Sequence, residues 1–155
     1  MNPQEQFYQA FERMDVDAMV ALYADDIVFE DPAFGKLEGE RAKNMWRMLV
    51  GSQKGKDFQV SFRDVELGKE KSSCMWEARY TFSATGRKVF NVIQSEMHFR
   101  DGKIVKHTDV FDFYRWTKEA LGTKGKLLGW MPWFQRAFQK RTHGMLDRFS
   151  SRDPR

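Results

Sequence analysis

The chain has 155 residues, 41% apolar and 31% charged, with 26 Lys plus Arg against 22 Asp plus Glu, which fits one soluble globular domain rather than two. A chain of this size buries roughly 68–70% of its unfolded surface, enough for a core with an internal cavity. Cys74, the single cysteine, excludes an internal disulfide and every multi-cysteine metal site. No apolar run approaches the ~20 residues of a membrane span, and the first turns carry Glu5, Glu12, Arg13 and Asp15 rather than an export signal, so the expected location is cytoplasmic.

Phe7, Ala10, Phe11 and Met14 recur at helical spacing after Pro3, predicting an amphipathic first helix. Asp15 is a suitable cap for a second short helix through Val16, Met19, Val20, Leu22 and Tyr23, ending at Asp25-Asp26. Residues 27–30 read as a short strand stopped by Asp31-Pro32, because the residue before proline avoids the helical region and proline donates no amide. A loop through Gly35 and Gly39 leads to a third helix over 40–50, with Ala42, Met45, Trp46, Leu49 and Val50 on one face.

Beyond Gly51 the apolar period changes to two. Phe58, Val60 and Phe62, then Trp76, Ala78, Tyr80 and Phe82, then Ile93 and Phe99, then Val105, Val110, Phe111 and Phe113 predict four antiparallel strands. Asp101-Gly102 is a strong hairpin signal between the last two. Three helices before a meander imply an α+β domain in which a curved sheet folds over segregated helices.

From Trp116 the pattern is broken by Gly122, Gly125, Gly129 and Pro132, then becomes helical through Phe134, Phe138, Leu146 and Phe149. The charge is segregated: residues 1–113 hold 16 basic and 19 acidic side chains, residues 114–155 hold 10 and 3. This divides the chain into a body over 1–113, a helical extension over 114–150 packed on it, and a tail over 151–155. The body shows no nucleic-acid signature. The basic, aromatic extension suits a lid across the body, a subunit contact or an anionic membrane surface.

Asp15-Val16-Asp17-Ala18-Met19-Val20-Ala21-Leu22-Tyr23-Ala24-Asp25-Asp26-Ile27-Val28-Phe29-Glu30-Asp31-Pro32 resembles the matching segment of ketosteroid isomerases. The resemblance implies the cone-shaped nuclear transport factor 2-like fold, shared with SnoaL-like polyketide cyclases and limonene-epoxide hydrolases. It also implies a homodimer through the sheet's outer face, for which Phe90 and Val92 are candidates. Asp31 matches the isomerases' general base. Their oxyanion hole, a tyrosine and a protonated aspartate, falls at Phe7 and Ser95, so both electrophilic groups are missing. Tyr8 is expected to point elsewhere, since one residue turns a helical side chain by about 100°. His107-Thr108-Asp109 resembles the acid-bearing strand of the hydrolases, with Asp109 matching the acid. Their arginine and second aspartate fall at Ala78 and Tyr80, with Arg79 facing away.

The catalytic candidates are therefore Asp31, His107 and Asp109, expected to share one apolar hollow. His107 and Asp109 lie two apart on a strand and so face the same way. Phe7, Phe34, Trp46, Phe62, Trp76, Tyr80, Ser95 and Met97 are the candidate ligand-binding residues, suited to a small hydrophobic molecule. No metal site is expected from His98, His107 and His143, and nothing indicates a nucleotide or other cofactor. The functions left open are acid–base catalysis as isomerase, cyclase or hydrolase, passive binding of an apolar ligand, and membrane association through the basic extension.

Overall fold

The computed structural model describes residues 2–152; of the predicted tail, residues 153–155 lie outside the described residues. Helix α1 (Pro3–Glu12) starts at Asn2, whose side chain accepts the Gln4 amide, and α2 (Val16–Ala21) starts at Asp15, which accepts from Ala18. These caps satisfy amides that the first helical turn leaves unpaired. Strand β1 (Tyr23–Asp31), strand β2 (Gly35–Glu38) and helix α3 (Glu40–Gln53) follow. Then come β3 (Gln59–Glu66), β4 (Lys71–Phe82), β5 (Arg87–Arg100) and β6 (Lys103–Val110). Three helices end the described chain: α4 (Phe113–Leu121), α5 (Thr123–Leu128) and α6 (Pro132–Arg152).

The six strands form one sheet in the order β2-β1-β6-β5-β4-β3. Asp101 and Gly102 both take positive φ, 52° and 76°, the type I′ geometry expected of that dipeptide between β5 and β6. Several expectations change. Gly35–Glu38 is a strand paired with β1, not a loop. Strand β1 begins at Tyr23, which leaves the second helix and enters the sheet. The sheet is mixed rather than wholly antiparallel, because β1 runs parallel to β6 with Phe29 opposite His107. The last strand stops at Val110, and Phe113 opens α4 under an Asp112 cap. Alternation cannot reveal these points: it reports which face a residue takes, not which strand it pairs with or in which direction.

Alternate residues of β1, β3, β4, β5 and β6 face the three N-terminal helices and build the main core with Phe7, Phe11, Met19, Ile27, Phe29, Trp46 and Ile93. A second cluster joins Val89 to Phe113, Trp116, Ala120 and Phe134 from the C-terminal helices. Tyr80 and Phe111 pack against both. Helix α5 lies tightly on α4 because Gly125 and Gly129 face Thr117; a Cβ at either would come within 1.9 Å of a Thr117 oxygen. On the outer face, Phe90 and Val92 are half-buried, and the Arg79 guanidinium lies 4.0 Å from the Phe90 ring centroid.

Candidate functional site

The parallel register of β1 and β6 organises the inner face. Phe29 pairs with His107 and Glu30 with Thr108, so one further step sets Asp31 beside Asp109 on strands about 4.8 Å apart. The antiparallel register of β5 and β6 pairs Ser95 with Asp109 and Met97 with His107, and Ser95 in turn pairs with Cys74 on β4. Asp31, His107 and Asp109 thus occupy one side of two adjacent strands.

His107 is fully buried and Asp109 is 3% exposed. The Nε2 of His107 lies 2.8 Å from Asp109 Oδ1, and its Nδ1 lies 2.7 Å from the Tyr23 hydroxyl. Trp46 Nε1 donates to the Tyr23 oxygen at 2.8 Å. The Tyr23 hydroxyl then donates to Nδ1, and the imidazole proton is assigned to Nε2, facing Asp109. Trp76 Nε1 also donates to Asp109 Oδ1, at 3.4 Å. A second branch runs through Tyr8, whose hydroxyl donates to Ser95 Oγ at 2.7 Å and lies 3.2 Å from His107 Nε2. Gln4 Nε2 donates to Ser95 Oγ at 3.2 Å, and Ser72 donates to Gln4 Oε1 at 2.6 Å. Such a chain lets polar groups occupy a dry interior without leaving lone pairs unmet.

Tyr8 corrects the expectation that it points away. Helix α1 nests inside the curved sheet and buries Gln4, Phe7, Tyr8, Ala10 and Phe11. Its buried arc is wide enough to hold neighbours about 100° apart. Tyr23 was also missed, because its spacing reads as helical, and so were Gln4 and Ser72, which extend the chain. Burial raises the phenol pKa of both tyrosines well above the usual value, and the charge of Asp109 adds to this. Both therefore remain protonated donors. Burial also pushes the Cys74 thiol up to about 12, with Asp109 again contributing, which removes it as a nucleophile at neutral pH.

The candidate ligand-binding residues separate into two groups. Phe7, Trp46, Ser95 and Met97 are at most 2% exposed and Trp76 is buried. The Trp46 and His107 rings stack at 5.9 Å, while Phe7 meets His107 edge-on at 5.4 Å. This floor is packed ring against ring and offers no open surface. Phe34, Phe62 and Tyr80 remain partly exposed, as does Asp31.

Asp31 sits at the turn between β1 and β2, where its Oδ1 accepts the amides of Ala33 at 3.0 Å and Phe34 at 2.7 Å. Desolvation nevertheless raises its carboxyl to about 7, with the charge of Asp109 adding and the two amides opposing. Helix α6 lies across this turn. Gln135 and Gln139 each donate to Pro32 O at 3.1 Å, Thr142 donates to Ala33 O at 3.0 Å, and His143 Nε2 donates to Phe34 O at 2.5 Å. Arg41 of α3 donates to His143 Nδ1 at 3.1 Å and pairs with Asp147 at 2.7 Å. Among the described residues, no group of three or more His, Cys, Asp or Glu side chains is placed to hold a metal ion.

Comparison with solved structures finds the same fold around different chemistries. TerC, co-crystallised with polyporic acid, is 16% identical with a TM-score of 0.59, covering 71% of this chain and 88% of TerC. An epoxide hydrolase of the limonene-epoxide hydrolase-like kind from M. tuberculosis is 22% identical at a TM-score of 0.60, covering 81% and 90%. A polyketide cyclase candidate from Xanthomonas campestris pv. campestris is 17% identical at 0.58, covering 76% and 93%. No curated protein matches by sequence. Residues 5–107 match the SnoaL-like domain, a span that includes Asp31 and His107 and stops short of Asp109 and the three C-terminal helices. With two thirds of its length matched, the chain belongs to the SnoaL-like family.

Proposed function

We propose that this protein is an acid–base catalyst acting on a small, largely apolar molecule at the Asp31 end of the inner face. The observation that carries this reading is Asp31, a partly exposed residue whose carboxyl desolvation raises to about 7 next to Asp109. A carboxyl in that range exchanges its proton readily near neutral pH and serves as acid or base. Asp109 is held through Oδ1 by His107 and Trp76, and its charge helps to raise Asp31. Both of these bonds fall on that one oxygen. Phe34, Tyr80 and Phe111 supply partly exposed apolar walls, and the Tyr80 hydroxyl accepts a 2.8 Å bond from Trp116 Nε1.

The chemistry this suits is proton abstraction beside a carbonyl, or activation of water against an epoxide. Asp31 takes the proton as a carboxylate and returns it as a carboxylic acid, while the tyrosine–histidine chain fixes the position of Asp109. Polyporic acid, co-crystallised with TerC, and the epoxides of the hydrolase indicate compounds to try first.

The test pairs a panel of epoxides and enolisable aromatic ketones, read by mass spectrometry, with carbon-13 NMR titration of Asp31. Turnover that falls at least about a hundredfold in Asp31→Asn, with a carboxyl titrating near pH 7, supports the proposal. A carboxyl titrating in the ordinary range refutes it. So does turnover that is unchanged in both Asp31→Asn and Asp109→Asn.

A further inference from the structure

The corner between α5 and α6 carries a feature that neither the fold nor the Asp31 site uses. Leu127, Trp130 and Trp133 are 62%, 61% and 50% exposed, whereas Trp46, Trp76 and Trp116 are buried. They lie within seven residues of one another at the turn between the two helices: Trp130 Nε1 donates back to Leu127 O at 3.1 Å, and Trp133 Nε1 points at Met131 Sδ, 3.0 Å away. Both indoles therefore fold along the corner. Along this stretch of chain the charge is of one sign, because no Asp or Glu occurs between Glu119 and Asp147, while Lys124, Lys126, Arg136, Lys140 and Arg141 do. All five are exposed. No ion pair involves any of them among the described residues.

We propose that this corner is a docking site for an anionic lipid bilayer. Tryptophan and leucine at a convex corner suit the headgroup boundary, where an indole buries its ring and keeps its N–H in a polar layer. Unpaired lysines and arginines around it match the negative surface of an anionic leaflet. A folded protein surface would have to supply both an apolar cleft and an acidic rim, whereas a bilayer supplies both at once. No described helix is long and apolar enough to cross a membrane, so the contact is peripheral. The site does not depend on the acid–base reading of Asp31.

The experiment is co-sedimentation of the full chain with phosphatidylcholine vesicles, with and without phosphatidylglycerol, together with tryptophan fluorescence. Because the other three tryptophans are buried, a blue shift on adding vesicles reports Trp130 and Trp133. Binding is expected only with phosphatidylglycerol, with a blue shift and quenching by brominated acyl chains. Lys124→Glu/Lys126→Glu should weaken it roughly tenfold or more, and Trp130→Ser/Trp133→Ser should abolish the shift and weaken binding comparably, with melting temperatures unchanged. The proposal is overturned by absence of binding at low salt, or by binding that survives the double tryptophan variant. It is also overturned if the chain without lipid forms dimers that this variant abolishes while no vesicle binding is seen, which would assign the corner to a second copy.

Discussion

The floor of the inner face and its mouth draw on the same residue types and put them in opposite situations. On the floor, His107, Tyr8, Tyr23 and Ser95 are buried and bonded to one another. At the mouth, Asp31 is partly exposed and holds two backbone amides, yet its carboxyl is raised to about 7. Buried polar groups with satisfied bonds fix geometry and add stability. A carboxyl short of water and close to another charge keeps an unmet electrostatic cost, and that cost makes it reactive. The comparison teaches that the fully buried imidazole here is held by bonded partners, while the raised carboxyl sits at the edge, where the proposed chemistry is placed.

The sharpest way to break this contrast is to empty the floor. His107→Ala leaves Tyr23 and Asp109 without their partner and opens a void among Phe7, Phe29 and Trp46. A loss of about 3–5 kcal/mol is expected in urea unfolding; a loss under about 1 kcal/mol would mean that the network is not a structural unit. Tyr23→Phe removes the link between Trp46 and His107 and should cost about 2–3 kcal/mol by the same measurement.

At the mouth the sign reverses. Folded Asp31 titrates near 7 against an ordinary 3.8, so between those values the folded chain holds a proton that the unfolded chain has released. The stability from that proton is complete below about pH 4 and is lost as the pH rises towards 7. Three pK units correspond to about 4 kcal/mol, roughly halved because the residue as a whole is only partly buried. Asp31→Asn, which keeps an oxygen for the two amides, should therefore stabilise the protein by about 2 kcal/mol at pH 8. That corresponds to a melting temperature roughly 4–8 °C higher, with almost no gain at pH 4. Equal gains at both pH values would remove burial of charge as the cause. The smallest effect concerns the helix over the turn: Thr142→Val removes the bond to Ala33 O and should cost about 1 kcal/mol. Hydrogen exchange of the Ala33 and Phe34 amides should rise in this variant, while exchange of floor amides stays unchanged.

Apolar periodicity and punctuation determined much of this protein. The three N-terminal helices, the strands ending near Phe82 and Phe99 and the turn at Asp101-Gly102 were legible because the signals are local: spacing along one chain, a proline, a hairpin dipeptide; Asp31, His107 and Asp109 became candidates largely through resemblance to known families. Only the tertiary structure decided that β1 runs parallel to β6, which brings Asp31 beside Asp109. It likewise decided that Tyr8 and Tyr23 join His107, and that Phe7, Trp46 and Met97 are buried in the floor while Phe34 and Tyr80 stay partly exposed. Strand partner and direction are set by closing long loops around a common core, and the curvature that lets α1 bury more than one side belongs to the sheet as a whole. Neither property is carried by any short stretch of residues.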